Sequence, residues 1–348
     1  MKIGNKKISD TSKAYIIAEV GQAHEGSIGN AHAFIETASK TGVDAIKFQA
    51  HFASEESTRD ENFRVNFSYQ DADRFDYWKR MEISPCHLKE LKEHAESLDM
   101  EFICSPFSFY AIDVLESINI NVWKIGSGEA NWESFMRKVI DTKKPIIYST
   151  GMSLSNEIDA MVAQFKALKA EFCLMQCCSK YPTPLEEVGT HLLLKYKEKY
   201  SSLAGLSDHS GSIWPSINAI ALGANVIEVH IKLSEDSFGP DSSSSLLPHQ
   251  IAQICEARDE LYIMNNSDLS KDKLSKNLSE TRGLFSRSIA LNDNYSKGTK
   301  ITSDMIILKK PGSGIPDTNS SLVIGKILNR NYSADRLLHL DDLTDIIN

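Results

Sequence analysis

Short apolar runs alternate with longer amphipathic stretches along this chain, and the pattern recurs eight times before residue 231. The runs cover residues 14–20, 45–49, 101–105, 122–125, 145–150, 172–177, 203–206 and 226–230. Continuous Val/Ile-rich runs without polar alternation predict strands buried on both faces, as in a parallel sheet. The stretches between them, among them 28–39, 85–98, 155–168 and 186–200, read as helices. Eight strand–helix units in roughly 250 residues fit an α/β fold of the (β/α)8 TIM-barrel type. A doubly wound sheet is the competing architecture. It uses fewer strands and a Gly-rich first turn, and Gly21-Gln-Ala-His is not one.

Two segments break the rhythm. Residues 50–84 separate the second strand from its helix and carry Phe63, Phe67, Tyr69, Phe75, Tyr77 and Trp78 among Arg and Asp. A long loop in a compact domain is usually functional or at an interface. This one reads as a lid or a dimer contact, with a plain surface Ω-loop as the alternative. Residues 265–283 turn polar, the composition of a linker or a solvated helix. Beyond Arg287, Lys297-Gly-Thr is a turn signal and Ile301-Thr-Ser-Asp-Met305-Ile looks like a strand leading to a capped turn. Lys310-Pro-Gly-Ser-Gly-Ile-Pro316 is loop chemistry. The expected division is a barrel over 1–265, a linker over 266–284 and a small β-rich domain over 285–348.

Composition narrows the function. With 348 residues the chain is long for one core, so a large and a small domain are natural. A net charge of -9 argues against a nucleic-acid partner, which needs a basic face. An anionic substrate must then be held by a few local cations. The N-terminal Met-Lys-Ile-Gly-Asn-Lys-Lys has no apolar h-region, and no run approaches the ~18 residues of a membrane span, so no membrane partner is expected. Cys86, Cys104, Cys173, Cys177, Cys178 and Cys255 lack zinc-knuckle spacing and read as reduced thiols of a cytoplasmic protein. Cys177 and Cys178 are expected on opposite faces of a strand rather than as a redox pair.

In such barrels the reacting groups come from the C-terminal ends of the strands. Those ends supply Glu19, Lys47 with Gln49, Ser105, Lys124 with Ser127 and Glu129, Ser149, Ser179 with Tyr181, His209 and His230. One polar residue at a strand end is ordinary loop chemistry. Two lysines flanked by apolar residues are not, because a buried Lys is rare unless paired or ligand-bound. Lys47 and Lys124, with Ser105, Ser127, Ser149 and the backbone of Gly126-Ser-Gly128, would make a cradle for a phosphate or carboxylate. A lone His more often caps a strand or packs in a core. His209 and His230, 21 residues apart at the ends of successive strands, could instead share a divalent ion that polarises a carbonyl oxygen. Glu19 and Glu129 are left for proton transfer or charge stabilisation. The ensemble suits joining a phosphorylated small acid to a carbonyl compound. A Schiff-base aldolase using Lys47 or Lys124 is the rival, and it leaves the histidines unexplained. A degenerate sugar-binding module is a third reading, against which the intact Glu, Lys and His set counts.

The segments Ile-Ile-Ala-Glu19-Val-Gly-Gln-Ala-His24, Asp-Ala-Ile-Lys47-Phe-Gln49, Ser105-Pro-Phe-Ser, Trp-Lys124-Ile-Gly-Ser127-Gly-Glu129, Ser149-Thr-Gly-Met, Tyr181-Pro-Thr-Pro, Gly-Leu-Ser207-Asp-His209-Ser-Gly and Ile-Glu-Val-His230 strongly resemble the N-acetylneuraminate (sialic acid) synthase family. The tail, with Arg287-Ser-Ile-Ala and Lys310-Pro-Gly-Ser-Gly-Ile-Pro, is similar to that family's antifreeze-like (SAF) domain. The resemblance implies condensation of phosphoenolpyruvate with an open-chain amino-sugar. The enol carbon attacks the metal-activated aldehyde, water adds at the former enol carbon, and phosphate leaves to give a nine-carbon 2-keto acid. It further implies that His209 and His230 hold a divalent metal, Mn2+ first, with Mg2+ or Co2+ as alternatives. Lys47, Lys124, Ser105, Ser127, Ser149, Ser179 and Ser207 would hold phosphoenolpyruvate, with Glu19 near its reacting part. Gln49, Tyr181 and Asp241 would line the sugar, Glu129 would handle a proton, and the chain would form a domain-swapped homodimer.

Departures from the family pattern fall in the phosphoenolpyruvate cradle as well as on the sugar side. Ser stands at 105 where Thr is common, and at 179 where Asn is also common. Gln22-Ala23 precedes His24, where Val-Asn or Ile-Asn is commoner. Lys310 replaces an Arg that touches the sugar's acyl group, and a Lys cannot supply the planar bidentate fork of Arg. The sugar could be N-acetylmannosamine, its 6-phosphate, or a 6-deoxy diacetamido hexose leading to legionaminic or pseudaminic acid.

Overall fold

The computed structural model describes residues 1–63 and 67–345. They fall into two compact units, Met1–Asn266 and Ser267–Asn348. In the first unit eight parallel strands close into a barrel in sequential order. They are Tyr15–Glu19, Ala45–Ala50, Glu101–Pro106, Trp123–Ile125, Ile146–Ser149, Phe172–Cys177, Leu203–Asp208 and Val226–His230. Each lies on one of the apolar runs. The last strand pairs with the first, setting His230 opposite Glu19, and the first pairs with the second, setting Glu19 opposite Lys47.

Period two within each strand sorts side chains between the barrel interior and the helix layer. Phe48, Phe102 and Trp123 point outward and pack with Phe34, Leu88, Leu91, Phe135 and Met136 of the surrounding helices in one continuous core. Each such side chain contributes about 1.5–3 kcal/mol on burial. The helices begin where local chemistry tells them to. Ser27, Ser84 and Ser108 cap their first turns by accepting from the backbone N–H of Asn30, His87 and Ala111.

The inward positions change character with height. Near the strand starts Ile17, Ala45, Ile103, Val122, Ile147 and Val226 form a separate apolar plug with Ile3 and Ile8 of the N-terminal segment. Two residues further along, the same faces present Glu19, Lys47, Ser105, Lys124, Ser149 and Glu228, all nearly inaccessible to solvent. The plug closes one end of the barrel, so the polar layer opens only at the other.

The helix predicted over 186–200 is a 3-10 turn at Leu185–Glu187 followed by a helix only at Leu192–Tyr200. Gly189 at φ +70° separates them, a left-handed backbone that stops helix propagation. The insertion is not a plain Ω-loop. It holds helices Ala53–Glu56 and Arg74–Met81, and its rings pack on each other, Phe67 edge-on to Tyr77 at 5.1 Å.

The second unit carries helices Lys271–Asn277 and Ser279–Phe285, then two small antiparallel ladders. Ser288–Leu291 pairs with Ile306–Lys309, and Ile327–Leu328 with Leu343–Thr344. Ile289, Leu291, Ile301, Val323, Leu328 and Leu338 form its core. The strand expected from Ile301 begins later, at Ile306, because Ser303–Met305 forms a 3-10 turn first. Ser and Asp favour such turns by competing for backbone hydrogen bonds. All six cysteines are free, and among the described residues no helix is long and apolar enough to cross a membrane.

Candidate active site

The open end of the barrel holds a cavity of about 720 Å³. Fourteen residues singled out in the sequence line it together: Glu19, Lys47, Gln49, Ser105, Lys124, Ser127, Glu129, Ser149, Ser179, Tyr181, Ser207, His209, His230 and Asp241. Lys310 belongs to the second unit, where its ammonium stands over the Phe285 ring, 4.9 Å from the ring centre. The insertion supplies cavity wall through Glu56, Glu61, Phe63, Phe67, Arg74, Tyr77 and Trp78.

The lysines are tied together by Glu228, which no motif in the sequence singles out. Glu228 Oε1 lies 3.1 Å from Lys47 Nζ, 3.2 Å from Lys124 Nζ and 3.2 Å from the donating Ser207 hydroxyl. Lys47 also meets Glu19 at 3.0 Å, and Lys124 donates to Ser149 Oγ at 2.8 Å. Burial alone would push the Glu228 carboxyl up, but the Lys124 and Lys47 ammoniums outweigh it and hold it far below the usual carboxylate range. The two lysines diverge. Burial opposes charge on both, yet Lys47 faces two carboxylates and is raised. Lys124 faces one carboxylate with Lys47 nearby, and burial wins, lowering it. The signal for Glu228 was parity: it lies two residues before His230 on the same strand and so shares its inward face.

Beside the cradle, Gly151 is required by close approach. A Cβ there would come within 2.6 Å of Ser179 Oγ and 2.8 Å of both Cys177 Sγ and Ser127 Oγ. Its own N–H donates to Ser127 Oγ at 3.1 Å. Glu129 is largely buried, and loss of solvent pushes its carboxyl up to about 7. Cys177 lines the cavity, while the Cys178 thiol lies 3.9 Å from Glu187 Oε2, so the adjacent thiols have separate surroundings.

The histidine rings lie 5.2 Å apart. Burial and then the neighbouring His230 lower His209 to about 3, which leaves it a neutral imidazole. Its Nδ1 sits 3.1 Å from the Cys178 carbonyl, so that nitrogen carries the proton and Nε2 keeps its lone pair, 3.2 Å from the Tyr181 hydroxyl. His230 Nδ1 is buried with no hydrogen-bond partner and lies 3.7 Å from Asp241 Oδ2. An unsatisfied buried imidazole nitrogen beside a second one whose lone pair meets a neutral hydroxyl suits a divalent cation. Among the described residues no three His, Cys, Asp or Glu side chains gather into a closed cage. Two imidazoles would therefore leave coordination positions for water or substrate.

Fold and site together define a (β/α)8-barrel enzyme whose closed end is an apolar plug and whose open end sets a two-lysine anion cradle beside a pair of imidazoles. Residues 34–268 match the model of the NeuB family and residues 286–344 that of the SAF domain. The chain belongs to the NeuB family. It is similar to N,N'-diacetyllegionaminic acid synthase of Campylobacter jejuni, 28% identical over 94% of this chain and 99% of that one. Pseudaminic acid synthase of the same organism is 29% identical over 94% and 95%. Among solved structures, an N-acetylneuraminic acid (sialic acid) synthetase from Leptospira borgpetersenii, in complex with citrate, superposes with a TM-score of 0.72. It is 27% identical and covers 81% of this chain and 95% of its own.

Proposed function

We propose that the chain is a transferase that condenses phosphoenolpyruvate with the open-chain form of an N-acylated amino-sugar, releasing phosphate and a sialic-acid-like nonulosonate. C3 of phosphoenolpyruvate bonds to the sugar aldehyde carbon, the aldehyde oxygen takes a proton, water adds at C2, and the C2–O bond to phosphate breaks. The observation that carries this reading is the pair of buried ammoniums, Lys47 and Lys124, sharing Glu228 beside His209 and His230. A phosphorylated carboxylic acid can take over part of the charge pairing that Glu228 and Glu19 provide. Ser149 accepts from Lys124 and so keeps its own O–H free to donate to a ligand oxygen.

Ser105, Ser127, Ser179 and Ser207 add hydroxyls to that cradle, and Gly151 leaves room between them. Glu19, hydrogen-bonded to Gln49 and paired with Lys47, stands near the reacting carbons. Glu129, with its carboxyl near neutrality, gives or takes a proton at a sugar or water oxygen. Gln49, Tyr181 and Asp241 orient the sugar, and Lys310 is a further substrate-binding candidate. His209 and His230 would hold a divalent ion, Mn2+ in this reading, which when bound supplies Lewis-acid polarisation of the aldehyde oxygen.

The reading extends to residues 1–265 as the synthase domain and 285–348 as the SAF domain, and to a domain-swapped homodimer in the cytoplasm. Large apolar side chains left exposed at the mouth-side starts of two helices, Leu154 and Trp214 at 66% and 67%, support a second chain there. Six free thiols suit a reducing compartment. Phosphate release from phosphoenolpyruvate, measured with a panel of amino-sugars, with Mn2+ and with chelator, tests the reaction. Release with none of the sugars would sink it, and light scattering at monomer mass would sink the dimer.

A further inference from the structure

His51, directly after the second barrel strand, is used by nothing above, yet it is one of the most constrained side chains at the cavity. It is 4% exposed. Its ring is sandwiched between Trp78 and Phe107, each 4.2 Å away and within 22° and 16° of parallel. Nδ1 lies 2.7 Å from Glu56 Oε1, and Nε2 lies 2.7 Å from Gln49 Oε1. Glu56 and Trp78 come from the insertion, so the imidazole joins that segment to the barrel.

Counting hydrogens fixes what His51 does. A carboxylate only accepts, so the Gln49 amide must turn its NH2 to Glu19, where Nε2 and Oε1 are 2.7 Å apart. The Gln49 carbonyl oxygen is thereby left facing His51 Nε2 and the NH2 of Gln22, the latter at 2.5 Å. An oxygen 2.7 Å from a ring nitrogen requires that the nitrogen carry the proton. The 2.7 Å contact between Nδ1 and Glu56 Oε1 then needs a second proton between them, and the aromatic sandwich holds the ring in plane. The chain of contacts continues from Glu19 to Lys47 and on to Glu228 and Lys124.

We propose that His51, oriented by Glu56, is a positioning residue for the condensation. It locks the Gln49 amide in the one orientation that donates to Glu19, and so fixes where Glu19 stands toward Lys47 and the bound substrates. This rests on the function proposed above. Without the Nε2–H donor the Gln49 oxygen keeps only the Gln22 NH2, so the amide is held less firmly against turning that oxygen toward the Glu19 carboxylate.

The test is His51→Phe, which keeps the stack and removes the donor. Orienting contacts of this kind typically cost about 10–100-fold when lost, so kcat should fall at least about tenfold. KM for phosphoenolpyruvate and the melting temperature should stay near wild type. Glu56→Gln should stay near wild type, because its amide NH2 can donate to Nδ1 and keep the Nε2–H tautomer, whereas Glu56→Leu, which removes the orienting partner but leaves the donor, should lose activity by less than His51→Phe. In a Gln49→Ala background His51→Phe should add no further loss, since residues acting through one contact are not additive. A kcat for His51→Phe within about twofold of wild type, or a full extra loss in the Gln49→Ala background, overturns the proposal. Nitrogen-15 NMR of the unliganded protein, with the His51 signals assigned by their loss in His51→Phe, should show a protonated Nε2. An unprotonated Nε2 overturns the proposal whether or not any amino-sugar is turned over, which separates its failure from failure of the assigned reaction.

Discussion

Replacing Glu228 by Gln isolates the contact on which the anion cradle is built. The side chain keeps its shape and one acceptor oxygen but loses the charge that lies 3.1 Å from Lys47 and 3.2 Å from Lys124. At an effective dielectric near 20, two unit charges about 3 Å apart attract by roughly 5 kcal/mol, much of which offsets desolvation. Removing one partner of a buried pair costs about 3–5 kcal/mol because the other charge is left uncompensated. Lys47 retains Glu19 at 3.0 Å, so the lower end applies and about 3 kcal/mol is expected in urea unfolding at pH 7. The sign with pH follows from the depressed Glu228 carboxyl. Its contribution is complete above the unfolded value of about 4.3 and fades as pH falls below that, so wild type and variant should converge in acid. Added inorganic phosphate or phosphoenolpyruvate should stabilise Glu228→Gln more than wild type, since the ligand replaces the lost anion. A penalty under about 1 kcal/mol, or equal stabilisation of both proteins by anions, would falsify the idea that Glu228 holds the cradle together.

Three other outcomes follow from the same geometry. His209→Ala and His230→Ala should each lose most Mn2+-dependent phosphate release while keeping a native circular dichroism spectrum, and near-normal turnover in chelator would remove the histidines from the metal role. With the Glu129 carboxyl raised to about 7, the kcat/KM profile should bend near pH 7, and Glu129→Gln should abolish the bend; a bend that persists assigns it to another group. Gly151→Ala drives a methyl into the hydroxyls of Ser127 and Ser179, so KM for phosphoenolpyruvate should rise about tenfold or more with KM for the sugar little changed.

Much of the site was legible before any coordinates, because a barrel converts position along each strand into position in space. Lys47, Lys124, His209 and His230 stand out since each ends an apolar run, and closing eight such runs must bring them together. Glu228 is inconspicuous inside Val226-Ile-Glu-Val-His230 because it sits within an apolar run, and only the alternation of the strand puts it on the inner face with His230. The insertion announced itself by its aromatics. That it forms cavity wall, and that its Glu56 reaches His51, depends on packing over tens of residues that no local pattern encodes. The turn at Gly189 is hidden for the opposite reason: a helical apolar pattern runs across one residue with a left-handed backbone.

Sequence alone determined the barrel, its strand order and the identity of the polar strand ends, since hydrophobic periodicity and short βα connections leave few other ways to bury these runs. Only the tertiary structure decided the charge arithmetic of the site. Whether Lys47 is raised and Lys124 lowered, whether the His209 Nε2 lone pair faces the cavity, and which way the Gln49 amide turns all depend on distances near 3 Å between residues up to two hundred positions apart. Electrostatic and hydrogen-bond energies are set by those separations and by the exclusion of water, which the linear order of residues does not contain.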